Sequence, residues 1–169
     1  IKGHPTPERE REVAKACVDM INEYGLADRT QYISFSTVVC EELPKWTDRP
    51  VSHLWGEKCN PDQVKALGAT GCDYSYPAWE ANPDFFGKCR ELGLITNIWT
   101  VDDETRMVNA FKDGFDYLTT NYPEMAMKLR KQTVIDLPKG AERPMIVAHR
   151  GYWNAPGSAQ NSIRSLVKA

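Results

Sequence analysis

The chain has 169 residues, enough for one domain with a sizeable core, and 21 Lys and Arg against 23 Asp and Glu leave a net charge of -2. That balance argues against nucleic acid or an anionic membrane surface as the main partner. Aromatic residues at 10% and hydrophobic residues at 41% suit a folded globule, and no apolar run approaches the length of a bilayer span, so a soluble protein is expected.

The elements follow one another in a regular rhythm. Residues 8–24 read as a helix with Val13, Cys17, Met20, Ile21 and Tyr24 on one face, opening after Pro5 and Pro7 and stopping at Gly25. Strands are expected at 31–36 (QYISFS) and 51–55 (VSHLW), then a helix at 61–67 ending at Gly68. A strand at 72–76, a helix at 83–92 ending at Gly93, and a strand at 94–101 come next. A helix at 103–111 near Gly114, a strand at 115–120 and a helix-like stretch at 123–132 complete the first part. Glycine just past a helix is the expected left-handed terminator before a following strand. Residues 133–144 carry two prolines and a glycine and read as a linker or joining loop. The last strand, 145–148 (MIVA), runs into His149-Arg150-Gly151.

A strand-to-strand pitch of about twenty residues is close to the minimum for a strand plus a returning helix. Repeated βα units imply a parallel sheet, and the polar and aromatic residues at several strand ends favour a (β/α)8 TIM-barrel type, whose active sites gather at that rim. A flavodoxin-like open sheet is the alternative; it would want a glycine-rich phosphate loop, and no G-x-G-x-x-G or P-loop pattern occurs. Cys17, Cys40, Cys59, Cys72 and Cys89 are spread out, odd in number and never in C-x-x-C spacing, which fits reduced, partly buried thiols. No basic segment followed by an apolar one precedes the first helix, so no signal peptide is visible. The compartment stays open: cytoplasmic, or periplasmic or secreted after removal of a signal.

His149 at a strand end can exchange a proton near neutral pH, Arg150 is a permanently charged forked donor suited to phosphate, and Gly151 lets the backbone turn beneath both. With Gln160-Asn161-Ser162-Ile163 downstream, this segment resembles the opening strand and Glu-Asn-Thr helix start of the glycerophosphodiester phosphodiesterase family. Ile95-Thr96-Asn97-Ile98-Trp99-Thr100-Val101-Asp102-Asp103 is similar to that family's late Trp-Thr-Val strand. The run from Gly114 to Pro123 is similar to its final Gly-x-Asp…Thr-Asp-x-Pro, with Asn121 where the family often has Asp. Ile1-Lys2 matches the end of its Glu-Ile-Lys strand, and Tyr32 to Ser36 its Ser-Phe strand.

The resemblance implies metal-assisted hydrolysis of glycerophosphodiesters to an alcohol and glycerol 3-phosphate. It implies His149 as an acid/base residue, Arg150 as phosphate clamp, Lys2 as a secondary phosphate contact and Trp99 as a wall for the glycerol moiety. Gln160 falls where the family has a metal-binding Glu; an amide oxygen can ligate Ca²⁺ or Mg²⁺ but brings no charge. Trp99 is equally readable as barrel packing, Gln160 as a helix-start residue with Ser158 the better cap, and Asp102 and Asp103 as helix-start residues. His4 and His53 stand alone and receive no role.

The motif order is permuted relative to the family, and the Glu-x-Asp strand, the second catalytic His and the Glu of Glu-Ile-Lys are absent from the chain. A complete barrel takes about 250 residues, so the chain is short by roughly a third. On this reading residues 1–132 are the C-terminal part of a barrel, 133–144 the link, and 145–169 the first strand and helix start of a barrel. Either two tandem domains meet here or one barrel is permuted and incomplete. Self-association or a second domain would then complete the barrel; the alternative is a non-catalytic barrel fragment that binds a phosphorylated ligand or serves in an assembly.

Overall fold

The computed structural model describes residues 1–134 and 142–169. They form two compact units, Ile1–Thr96 and Asn97–Ala169. Most of the proposed 133–144 link lies outside the described residues.

The first unit opens with α1 (Pro7–Glu23), capped by Thr6, whose side chain accepts from Arg9 N, with Pro7 in the first turn. Next come β1 (Tyr32–Ser34), α2 (Thr37–Glu42), β2 (Val51–His53) and α3 (Pro61–Ala66). They are followed by β3 (Gly71–Ser75), α4 (Tyr76–Ala81) and α5 (Asp84–Leu92). β1 pairs with β2 and β2 with β3, all parallel. α3 starts on a full capping box, Asn60 and Gln63 each bonding the other's backbone N–H. Val39, Cys40, Leu43, Val51, Val64, Cys72, Tyr74 and Cys89 fill the core.

Two helices escape the sequence reading, α2 and α4. Each begins directly after a strand on a serine cap: Ser36 accepts from Val39 N at 3.2 Å and Ser75 from Ala78 N at 3.3 Å. Thr37, Val38 and Val39 are β-branched and mask the helix, because packing overrides weak intrinsic preference.

The buried face of α1 also differs from expectation. Met20 and Tyr24 are 59% and 70% exposed, while Glu10, Ala14 and Val18 are buried. Glu10 turns inward because its carboxylate is satisfied there, accepting from Ser36 Oγ at 2.7 Å and His4 N at 3.1 Å. A satisfied inward carboxylate rotates the stripe away from the position that hydrophobicity alone marks.

The second unit contains β4 (Ile95–Trp99), in which the boundary between units falls, then α6 (Glu104–Asp113) and β5 (Tyr117–Thr120). It continues with α7 (Pro123–Gln132), β6 (Met145–Ala148) and α8 (Ile163–Lys168). β4 pairs with β5, and β5 with β6 in the register Tyr117↔Met145 to Thr120↔Ala148, again parallel. Met107 and Phe111 of α6 are fully buried with Leu118 of β5; each such side chain contributes about 1.5–3 kcal/mol. Arg130 Nε donates to Pro144 O at 2.6 Å and Arg143 donates to Arg130 O, clasping the end of α7 to the start of β6.

Within each unit the strands pair in chain order, without the reversal that marks a doubly wound open sheet, so the α/β barrel-type reading holds. The helix after His149-Arg150-Gly151 starts at Ser162, whose side chain accepts from Ser165 N, rather than at Ser158. None of the five cysteines is in a disulfide, and four are buried. Burial pushes the Cys40 thiol up to about 12, which keeps it protonated and unreactive. No helix among the described residues is long and apolar enough to cross a membrane.

Candidate active site

The chemistry-bearing residues of the second unit gather just beyond the C-terminal ends of β4, β5 and β6. At β6 the ladder runs one residue past the strand, with His149 N donating to Thr120 O at 2.8 Å. The chain then reverses sharply: Arg150 has φ 59° and Gly151 φ 76°, and Gly151 N donates to Ala148 O at 3.0 Å. A non-glycine residue in the left-handed region carries strain, the kind of local cost found at functional sites. The turn is held by its own loop, since Asn161 N and Ser165 Oγ both donate to Arg150 O, at 3.0 and 3.3 Å.

Asn121, the residue after β5, is the hub. Its side-chain oxygen lies 3.0 Å from His149 Nδ1 and accepts from Trp153 Nε1 at 3.0 Å. Its amide nitrogen donates to Asp102 Oδ2 at 2.8 Å, and its backbone N–H to Asp102 Oδ1 at 2.8 Å. Thr120 Oγ1 also donates to Asp102 Oδ1, at 3.0 Å. Asp102 therefore ties the loop after β4 to the end of β5. Its neighbour Asp103 has the cap role expected for both: it accepts from Arg106 N at 2.9 Å and pairs with the Arg106 guanidinium at 3.0 Å. For Asp102 the cap expectation is corrected. The sequence reading gives neither Asp102 nor Asn121 a site role; the signal that points to them is their position after neighbouring strands.

His149 is half-buried, and burial, then the Arg150 charge, lower its pKa, with Asp102 acting in the opposite sense. Arg150 is exposed and donates to Gln160 Oε1 at 2.5 Å. The structure thus sets His149 and Arg150 on one turn and brings Gln160, ten residues further on, to Arg150. Trp99 is half-buried at the end of β4. Lys2 belongs to the first unit, where it is exposed; beside it the Ile1 amino group donates to Ile33 O at 2.5 Å, and Ile1 O accepts from Ser34 Oγ at 2.9 Å. Residue 1 accordingly lies along β1.

The donor set does not fit a divalent cation. Gln160's amide oxygen is engaged by a guanidinium, and among the described residues no three His, Cys, Asp or Glu stand together to hold a metal.

No family model matches the sequence, and no curated protein does. Among solved structures, a glycerophosphodiester phosphodiesterase from Parabacteroides distasonis is 40% identical with a TM-score of 0.74, covering 79% of this chain and 56% of that one. A candidate glycerophosphoryl diester phosphodiesterase from Silicibacter pomeroyi is 21% identical with a TM-score of 0.66, over 76% of this chain and 46% of that one, and speaks to the fold alone. The chain spans about half the length of these relatives. By its sequence and its fold, this chain belongs to the glycerophosphodiester phosphodiesterase family.

Proposed function

We propose that this chain serves the hydrolysis of a glycerophosphodiester to an alcohol and glycerol 3-phosphate. The observation that carries the reading is the turn after β6, where His149, held by Asn121, stands next in the chain to an exposed Arg150. In the reaction a water oxygen forms a bond to phosphorus, and the phosphorus–oxygen bond to the alcohol breaks. His149 exchanges a proton with the water or with the departing alcohol, and its lowered pKa keeps it neutral and able to accept at pH 7. Arg150 clamps the phosphate oxygens, for which its planar fork is suited. Trp99 lines the glycerol side, and Lys2 is a further phosphate contact.

Family membership implies a divalent cation, Ca²⁺ or Mg²⁺, that would polarise a phosphate oxygen, with Gln160 at the position of a ligand. Because the donors present here do not fit one, no step is assigned to a metal. The domain reading is carried forward as part of the proposal: residues 1–132 as the late part of a barrel, 133–144 as the join, and 145–169 as the opening of a barrel.

The experiment is release of glycerol 3-phosphate from glycerophosphodiesters with Ca²⁺ or Mg²⁺ present, comparing the protein with His149→Ala. A dependent rate supports the reading, and an unchanged rate overturns it. The unsuitable donor set favours one second reading, a fragment that binds a phosphorylated ligand without turnover. Calorimetry showing tight, stoichiometric binding of a divalent metal by this chain would exclude that one.

A further inference from the structure

The hydrogen bonds around Asn121 contain more information than its place at a strand end. An amide side chain has one accepting and one donating end, and which is which is settled here twice. The nitrogen faces Asp102 Oδ2 at 2.8 Å, a carboxylate oxygen that only accepts. The oxygen faces Trp153 Nε1 at 3.0 Å, an indole N–H that only donates. Reversing the amide would set nitrogen against indole N–H and oxygen against carboxylate, losing both bonds. The oxygen also faces His149 Nδ1 at 3.0 Å, and its second lone pair is free for it. An imidazole nitrogen facing an acceptor must carry a hydrogen.

We infer that Asn121, anchored by Asp102, is a positioning residue that fixes His149 as the Nδ1–H tautomer and leaves Nε2 as the nitrogen that exchanges the proton. Use of Nε2 in catalysis rests on the hydrolysis proposed above; the tautomer assignment does not. Because the holding group is a neutral amide, it orients the ring without supplying a charge to stabilise imidazolium. The charges near the ring are Arg150 on its own turn, which disfavours imidazolium, and Asp102 beyond β4, which favours it. Burial and Arg150 together favour the neutral ring, in agreement with an arrangement that presents a base rather than an acid in its resting form.

The test is long-range ¹H–¹⁵N correlation spectroscopy of the His149 ring in the unaltered protein, at a pH above its titration. Protonated Nδ1 with an unprotonated Nε2 is expected; a predominant Nε2–H form overturns the inference. Two variants separate positioning from a merely structural role. Asn121→Leu removes the acceptor and should release the ring to a tautomer mixture. Asn121→Asp keeps an acceptor at Nδ1, should retain Nδ1–H, and should raise the pH midpoint of His149. A ring that stays fully Nδ1–H in Asn121→Leu overturns the assignment. Where turnover is measurable, Asn121→Leu should lower kcat on the order of tenfold or more with KM little changed. If the native tautomer is Nδ1–H while His149→Ala leaves hydrolysis untouched, the catalytic reading fails and the positioning role of Asn121 stands.

Discussion

Ser165 lies directly beneath Gly151: a Cβ on the glycine would fall 2.6 Å from Ser165 Oγ and 2.8 Å from the Ser165 carbonyl carbon. The obstacle includes backbone, so it cannot be relieved by a rotamer change, and the φ of 76° is itself unfavourable for any L side chain. Gly151→Ala should destabilise the protein by about 2–4 kcal/mol, combining left-handed strain with overpacking. Urea denaturation followed by tryptophan fluorescence measures it, and an unchanged midpoint would contradict the close packing of the turn on α8.

Arg150 makes the opposite case. At φ 59° it carries strain that glycine would not. Arg150→Gly should therefore stabilise the fold by up to about 1 kcal/mol while weakening capture of a phosphodiester. Thermal unfolding and binding of glycerol 3-phosphate, measured on the same preparation, should move in opposite directions. Loss of both would show that the guanidinium is structural.

Asp102 collects three donors, from Thr120 Oγ1, Asn121 N and Asn121 Nδ2. Removing the acceptor leaves them without it and frees the Asn121 amide to turn. Asp102→Ala should cost about 2–3 kcal/mol, as for other hydrogen bonds to a charged group. Differential scanning calorimetry gives the loss; a shift within the experimental error would mean that water substitutes for the carboxylate.

Acid should weaken the protein through its inward histidines. Burial lowers the pKa of His53 and of His149 from the ordinary 6.5. In His53, Nδ1 accepts from Trp55 N at 3.2 Å, so a proton placed there breaks that bond. Since the native values lie below the unfolded one, the unfolded chain binds more protons as pH falls through 6.5 towards the native values. Stability is full above that window and declines within it. Urea midpoints at about pH 7.5 and about pH 5.5 should differ in this direction. His53→Gln should shrink the difference, and an equal or larger difference would place the proton uptake elsewhere.

Much of the fold could be read from punctuation. The bounds of α7 and β6 coincide with the sequence reading because Pro123 opens the first and the second is a four-residue apolar run stopped by His149. α2 and α4 could not be read so, since a cap serine directly after a strand looks like strand continuation until the packing is known. Tyr74, in the strand expected at 72–76, is fully buried, its hydroxyl donating to Cys59 O at 2.5 Å between Trp79 and Phe85. Chemical type singles out His149 and Arg150 as candidates. The parts played by Asp102 and Asn121 depend on strand register, which composition does not encode, and the reading of Asp102 as a helix-start residue concealed its own.

The pairing of β5 with β6 bears on how the site is assembled in time. In the order typical of the family, the strands similar to these stand at opposite ends of the barrel sequence. Here the bonds that define the site join residues only 18, 19, 28 and 32 positions apart. Contacts of short sequence separation close small loops, so they form quickly and need little of the remaining chain to be in place. The cluster around His149 is therefore a locally encoded structure, and its amides at Asn121 and His149 should gain protection from hydrogen exchange together as the second unit folds.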